Sequence, residues 1–435
     1  MTILGGGPGG FAAALRARKE YGLSTVLVEK EAIGGVCLHR GCIPTKSFLT
    51  DALLLKPYPE IVLKKEKIVS RLHQGALATL RKESVSVIQG AARILKEHLV
   101  QVGQETIETK FILIATGSRP RELPGTPFDG EKILSSDDLL KIKEIPKSLL
   151  IIGAGPTGCE FASLFNLLGC ELVGRVTVVE AASRLLPNHD EEISEALKKI
   201  FVRLGIEVRL NQKAAVEKES AEKILVSIGR IPNSQDLGLE ALGVLLKDGF
   251  ISVDDHMRTA IPSIFAVGDV IGKWPLAHVA SHQGEIAVDV IAGKNRTAEP
   301  SAIPECVFTV PEIARVGLTE KEAREKRREV LVGRSSFITS ARALMLDEKE
   351  GFVKLIGDAK NGQLLGAHLL GPHVTELLSE LTLAVRLGLS IREIEETIHP
   401  HPTLSESVEE AASDFMQQWK GHGAKSFSGI SQKAD

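Results

Sequence analysis

Cysteine is scarce in this chain: five residues, at 37, 42, 159, 170 and 306, are scattered over 435 positions. That is too few to staple a chain of this length, so a disulfide-built scaffold is not expected and a reducing compartment is. No second C-x-x-C and no Cys/His cluster accompanies them, so a structural zinc site is not expected either. Charge of one sign is also lacking. The 53 Lys and Arg stand against 56 Asp and Glu, a formal −3, which leaves no broad positive field to recruit nucleic acid or anionic lipid. No apolar run approaches the ~18 residues of a membrane helix. The opening MTILGGGPGG has neither a basic n-region nor a long apolar h-region, so neither insertion nor secretion is expected; a cytoplasmic protein is, and a processed mitochondrial matrix protein would read the same. Compositional bias is missing too. With 43% hydrophobic and 25% charged residues the chain sits near the globular average, against disorder and low-complexity assembly. At ~100–200 residues per domain, two to four domains are expected.

What is present is a repeat. ILGGGPGGFAAALRARKEYGLSTVLVEK near the start and LLIIGAGPTGCEFASLFNLLGCELVGRVTVVE from Leu149 share one plan of strand, glycine turn, helix and strand. In the first, Gly5, Gly7 and Gly10 form G-x-G-x-x-G, and Glu29 closes the next strand. Gly5 permits the tight turn, Gly7 lets backbone approach a pyrophosphate, Gly10 lets helix and strand pack closely, and the helix N-terminus supplies N–H donors. Glu29 would accept from a ribose diol. Gly153, Gly155 and Gly158 repeat the triad, with Glu180 ending VTVVE. An acid there favours the 2′-hydroxyl of NAD over the 2′-phosphate of NADP, with Arg184 nearby as the opposing feature. Two fused dinucleotide sites suggest a tightly held flavin and an exchangeable nicotinamide. Asp269, in FAVGD, could reach a flavin ribityl chain.

GGVCLHRGCIPTK places Cys37 and Cys42 five positions apart. In a regular helix such residues lie ~7.5 Å apart along the axis and ~140° around it, which is wrong for a disulfide. A bridge therefore needs a broken helix, and Gly41 and Pro44 supply the irregularity. Two reduced core thiols remain the plain alternative.

GGGPGG, GGVCLHRGCIPTK, ATGSRP, GAGPTGCE, SIGRIPN, FAVGD and HPHPTLSE, in that order, resemble the FAD-dependent pyridine nucleotide-disulfide oxidoreductases, and within them the dihydrolipoamide-oxidising members most closely. The likeness runs to about Trp419. It implies an α/β fold with two Rossmann-like dinucleotide-binding domains, for FAD and NAD, and a C-terminal α+β dimerisation domain. The corresponding boundaries are 1–118 for FAD, 119–242 for NAD, 243–304 for a segment returning to the first domain, 305–420 for dimerisation and 421–435 for a solvated tail. By resemblance Cys37 is the interchange thiol and Cys42 the charge-transfer thiol, with Lys46 near flavin N5 and paired with Glu160. His401 is the acid/base, oriented by Glu406 and inserted into a homodimer partner's site, while His399 is given to packing. Around FAD the resemblance adds Pro8, Lys30, Gly35, Ala115, Thr116, Gly117, Gly268, Leu276, Ala277 and His278. Around NAD it adds Pro156, Thr157, Ile228, Gly229 and Arg230. The implied partner is the lipoyl-bearing domain of a 2-oxo acid dehydrogenase or glycine cleavage complex.

Other readings share the scaffold. A glutathione-type reductase would pair with NADP and read HPTSSEE, against Glu180 and HPTLSES here, and a mercuric-type enzyme would carry C-terminal cysteines absent after Cys306. A non-catalytic assembly subunit would not need Cys37, Cys42, His401 and Glu406. Departures from the pattern fall near residue 1, after Leu53 and at 214–223, each shorter than the family usually shows. ELVG before RVTVVE lengthens the link to the strand that carries Glu180. His39 and Arg40 either tune charge between the cysteines or are solvated, and Cys159, Cys170 and Cys306 read as packed thiols.

Overall fold

A computed structural model describes residues 1–170, 176–326 and 329–428, and the described chain divides into two compact units. The first comprises Met1–Leu149, Leu167–Cys170 and Ser220–Ala298. Its centre is a five-stranded parallel sheet in the order Ile264–Ala266, Ile112–Ile114, Thr2–Leu4, Val26–Glu29, Ser86–Gln89. Continuous apolar strands such as Ile112–Ile114, wholly buried, suit a sheet covered on both faces. The edge strand Ile264–Ala266, which pairs with Ile112–Ile114, and the helix Ala277–Ile291 both come from residues 243–304. The helix Pro8–Tyr21 buries Ala13, Ala14 and Ala17, and these short side chains let two helices come together: a Cβ on Gly284 would lie 2.3 Å from the Gly9 carbonyl oxygen. Helices fall on both sides of Pro57, at Cys42–Leu53 and Tyr58–Lys82, as the proline break predicts.

The second unit comprises Leu150–Asn166, Glu171–Glu219 and Glu299–Asp435. The helix Pro156–Phe165 is buried from Gly158 onward, and strand Val176–Val179 pairs in parallel with Glu207–Arg209. The ELVG insertion lies among residues outside those described. The C-terminal part is a five-stranded antiparallel sheet ordered Glu305–Val307, Glu312–Gly317, Leu364–Gly371, Phe352–Asp358, Val330–Ser336. Helix Glu406–Ser428 lies on it, close enough that a Cβ on Gly333 would stand 2.1 Å from the Ala411 carbonyl oxygen. That helix corrects one expectation: the backbone stays helical through Ser428, where coil was expected from 421 onward. The apolar face of Val408, Ala411, Ala412, Phe415 and Met416 anchors it upstream. Near 214–223 the chain forms a single 3-10 turn, Val216–Lys218, before strand Lys223–Val226. No helix among the described residues is long and apolar enough to cross a membrane.

Candidate functional site

The two glycine turns have the same geometry. Gly5 and Gly153 take φ of 107° and 100°, a region open to glycine, and their N–H groups donate to Val28 O at 2.8 Å and Val179 O at 2.9 Å. Gly7 and Gly155 cap their helices with φ/ψ of −69°/−175° and −71°/−176°, each followed by proline and neither with a side-chain cap. A Cβ on Gly10 would sit 1.9 Å from Gly5 O, and one on Gly5 2.2 Å from Ala115 O. On Gly7 or Gly155 a Cβ would meet nothing within 4 Å. Close packing on one side and open space on the other is the cradle a pyrophosphate needs, with helix N–H groups pointing into it.

The two acids match as closely. Glu29 accepts from Gly6 N and Glu31 N, both at 2.7 Å. Glu180 accepts from Ala154 N at 2.6 Å and Ala182 N at 2.7 Å. Each carboxylate ties its strand end to its glycine turn and keeps lone pairs for a ribose diol. Arg184 does not oppose Glu180, because its guanidinium donates to Pro187 O at 3.2 and 2.8 Å.

In the first unit the cysteine segment begins against the glycine turn. Gly34 N donates to Gly6 O at 2.8 Å, and a Cβ on Gly35 would approach Gly7 Cα to 2.8 Å. Helices Gly35–Arg40 and Cys42–Leu53 then break at Gly41, whose φ/ψ of −141°/−114° is far from helical. The break brings Cys37 and Cys42 into hydrogen-bonding reach as reduced thiols. That hydrogen bond, then burial, pushes the Cys37 thiol up, against the pull of Lys46. Cys42 is the first residue of a 12-residue helix without a side-chain cap, where the helix dipole favours a thiolate. His39 and Arg40 have structural partners: His39 Nε2 lies 2.9 Å from Ile33 O, and Arg40 pairs with Glu31 and Asp137.

Thr116, Gly117 and Ser118 are clamped by the SIGRIPN strand, in a ladder pairing Ser118 with Pro232 and Pro120 with Arg230. Thr116 Oγ1 donates to Asn233 O at 2.7 Å, and Asn233 Nδ2 returns to Thr116 O at 3.0 Å. Asp269 is the second residue of the 3-10 turn Gly268–Ile271 that follows strand Ile264–Ala266, and Gly268 N donates to Gln283 Oε1 at 2.8 Å. Ala277 and His278 begin the next helix, capped by Leu276. Lys30 is exposed beside Glu31. Arg230, expected around NAD with Ile228 and Gly229, donates to Ser118 and stands 3.6 Å from Asp269 Oδ2. Ser118, Asn233 and Gln283 were not singled out from sequence; the first two stood within the quoted motifs ATGSRP and SIGRIPN, while no motif marked Gln283.

In the second unit Glu160 is 8% exposed and accepts from Phe308 N at 3.0 Å. His401 Nδ1 lies 2.8 Å from Glu406 Oε1, and Thr403 N donates to Glu406 Oε2 at 2.9 Å. The hydrogen bond to His401, then that from Thr403, holds the Glu406 carboxyl below the usual carboxylate range. The His401 side chain is 73% exposed on its own chain, whereas that of His399 is 4% exposed and packs beside Glu380 and Glu409. Cys159 is buried and Cys306 half-buried; the side chain of Cys170 lies outside those described.

Comparison with known proteins agrees with this geometry. Residues 1–284 match the family model described as pyridine nucleotide-disulphide oxidoreductase, and residues 303–412 match that family's dimerisation domain. A dihydrolipoyl dehydrogenase of Bacillus subtilis is 39% identical, covering 95% of this chain and 97% of its own. One from Chlamydia trachomatis is 39% identical over 94% and 95%. The Bacillus alignment runs over 463 positions, more than the 435 residues here, so that relative carries stretches this chain lacks. Among solved structures, the HOCl-induced flavoprotein disulfide reductase RclA from Escherichia coli superposes with a TM-score of 0.88 at 29% identity, covering 95% of this chain and 99% of that one. With both glycine turns, the cysteine pair and the His–Glu pair in place, and the two models together spanning most of its length, the chain belongs to the pyridine nucleotide-disulphide oxidoreductases.

Proposed function

We propose that this enzyme oxidises a protein-bound dihydrolipoyl group with NAD, working as a homodimer beside a lipoyl-bearing domain of a 2-oxo acid dehydrogenase or glycine cleavage complex. The observation that carries the proposal is the cysteine pair across Gly41, with the raised thiol on Cys37 and the thiolate-favouring helix start at Cys42. The names of the Bacillus and Chlamydia relatives support the substrate.

In the oxidised enzyme Cys37 and Cys42 are joined. His401 of the partner subunit removes a proton from one substrate thiol, with Glu406 holding Nδ1 so that Nε2 faces the substrate. The thiolate attacks Cys37 Sγ, the Cys37–Cys42 bond breaks, and Cys42 leaves as thiolate at its helix N-terminus. The second substrate thiol then attacks the substrate sulfur of the mixed disulfide, breaking its bond to Cys37; Cys37 Sγ leaves and takes up a proton from the partner's His401, which accepts that of the second thiol in turn. The products are cyclic lipoyl disulfide, the Cys37 thiol and the Cys42 thiolate, two electrons having passed from substrate sulfur to enzyme sulfur. FAD, which fits the Gly5–Gly10 cradle with Glu29, supplies the two-electron link from this dithiol to NAD in the Gly153–Gly158 cradle. Lys46, one helical turn after Cys42, offsets the negative charge around the pair.

The test is the visible spectrum of the purified protein during anaerobic titration with dihydrolipoamide, followed by NAD. A long-wavelength band on reduction, abolished by NAD, is expected. Cys42→Ser should retain flavin and lose lipoamide turnover, and wild-type-like turnover in that variant would overturn the reading. The likeness to RclA favours one second reading, a reductase for another disulfide, and a bound flavin indifferent to dihydrolipoamide would select it.

A further inference from the structure

Asp269 is held by a two-residue latch. Ser118 Oγ lies 2.5 Å from Asp269 Oδ2, Arg230 Nε lies 2.6 Å from the same hydroxyl oxygen, and Arg230 Nη2 donates to Ser118 O at 2.8 Å. The guanidinium can only donate. The hydroxyl must therefore accept from Arg230, which sends its single proton to Asp269. Ser118 is 3% exposed, so water does not compete readily for that proton. Arg230 Nε stands 3.6 Å from Asp269 Oδ2 and adds charge attraction to the same oxygen. With Oδ2 committed, Oδ1 is the oxygen left to accept from a ligand hydroxyl.

Building on the FAD assignment above, we infer that Ser118 and Arg230 are positioning residues for flavin: they fix the rotamer of Asp269 so that it accepts from a ribityl hydroxyl of the bound cofactor. Arg230 thus serves the first nucleotide site. The ladder explains how residues 112 positions apart meet: Arg230 faces Pro120, and its side chain folds back onto Ser118.

The test strips flavin from the wild type and from Ser118→Ala, Arg230→Met, Arg230→Lys and the Ser118→Ala/Arg230→Met double variant. FAD rebinding is then followed by the loss of flavin fluorescence. ADP, which carries the part of FAD held by the glycine turn but no ribityl chain, is measured as a competitor of that rebinding, so that only the first site is read. Each of Ser118→Ala and Arg230→Met should weaken FAD about tenfold, the double variant no more than the worse single, and Arg230→Lys less than Arg230→Met. The inhibition constant of ADP should stay at the wild-type value. FAD rebinding at wild-type affinity in both single variants would overturn the inference, as would parallel losses of FAD and ADP, which mean general loosening of the unit. A wild-type protein that holds no flavin would instead overturn the FAD assignment itself.

Discussion

Glu406 does two jobs with one carboxylate: Oε1 meets His401 Nδ1 and Oε2 takes the Thr403 N–H. Its depressed pKa keeps it ionised through the usual carboxylate range, and the charge is lost only as pH falls through the lowered value. Glu406→Gln should keep the Thr403 contact but lose the charge that steadies an imidazolium, lowering kcat for dihydrolipoamide roughly 10–100-fold with KM nearly unchanged, as steady-state kinetics would show. The two ribose acids allow a paired test. Glu180→Ala should raise the KM for NAD about tenfold and leave the flavin content unchanged, because it unties Ala154 and Ala182 without touching the first cradle. Loss of bound flavin in that variant would mean the two sites had been assigned in the wrong order.

At the scale of elements, Gly41 is the position where one side chain would matter most. A Cβ there would stand 3.1 Å from Val36 O and 3.4 Å from Cys37 Cα, so the break between the two helices would have to shift. Gly41→Ala should preserve flavin and both thiols, as thiol titration would report, while cutting lipoamide turnover at least about tenfold through a misplacement of the pair. The glycine triads, the helix break and the His–Glu pair were legible in sequence because each is written within some thirty residues, and the chemistry demands glycine, cysteine or acid at a fixed spacing. Arg230 was read only by its motif and placed with NAD, since its meeting with Ser118 is decided by a two-stranded ladder between distant segments. The helical run to Ser428 was missed because its Gly- and Ser-rich end has poor helix propensity, and the helix is anchored upstream by Val408, Phe415 and their neighbours.

On the scale of the molecule, the second unit keeps an ionic cluster in its interior. Lys354, 2% exposed, contacts Asp190, Glu192 and Glu320 at 2.8, 3.0 and 2.7 Å, and Arg334 joins Glu192. Burial alone would push these carboxyls up; charge and hydrogen bonds from the surrounding cations overcome it, and all three lie below their usual values. Burial opposes the charge on Lys354 as well, yet its three acids hold it above the ordinary lysine value. The acids therefore contribute stability above their unfolded pKa values that is lost as pH falls through the folded ones. Lys354 contributes below its unfolded pKa and loses that contribution as pH rises through its folded one. Lys354→Met would leave the buried Asp190 carboxylate without its cation, while Glu192 keeps Arg334 and Glu320 keeps Arg324 and Arg334, and should cost about 3–5 kcal/mol in denaturant unfolding of the second unit at neutral pH. His189 adds an acid-side term. Burial, then Arg315, lowers its pKa to about 3, so its 3.6 Å approach to Glu305 is not an ion pair at neutral pH. Its contribution is complete above the ordinary histidine value of 6.5 and fades as pH falls towards 3. Thermal unfolding from pH 7 to 4 should therefore be less steep in His189→Gln than in the wild type.

An imidazole that is 73% exposed on its own chain turns catalysis into a question of who is mixed with whom. If His401 works only across a two-fold interface, Cys42→Ser and His401→Gln chains, each inert alone, should recover about a quarter of wild-type sites when unfolded together and refolded at equal amounts, since half the dimers are mixed and each carries one intact site. A chain that used its own His401 would gain nothing from the mixture. On that arrangement specific activity should also fall on dilution below the dimer's dissociation constant.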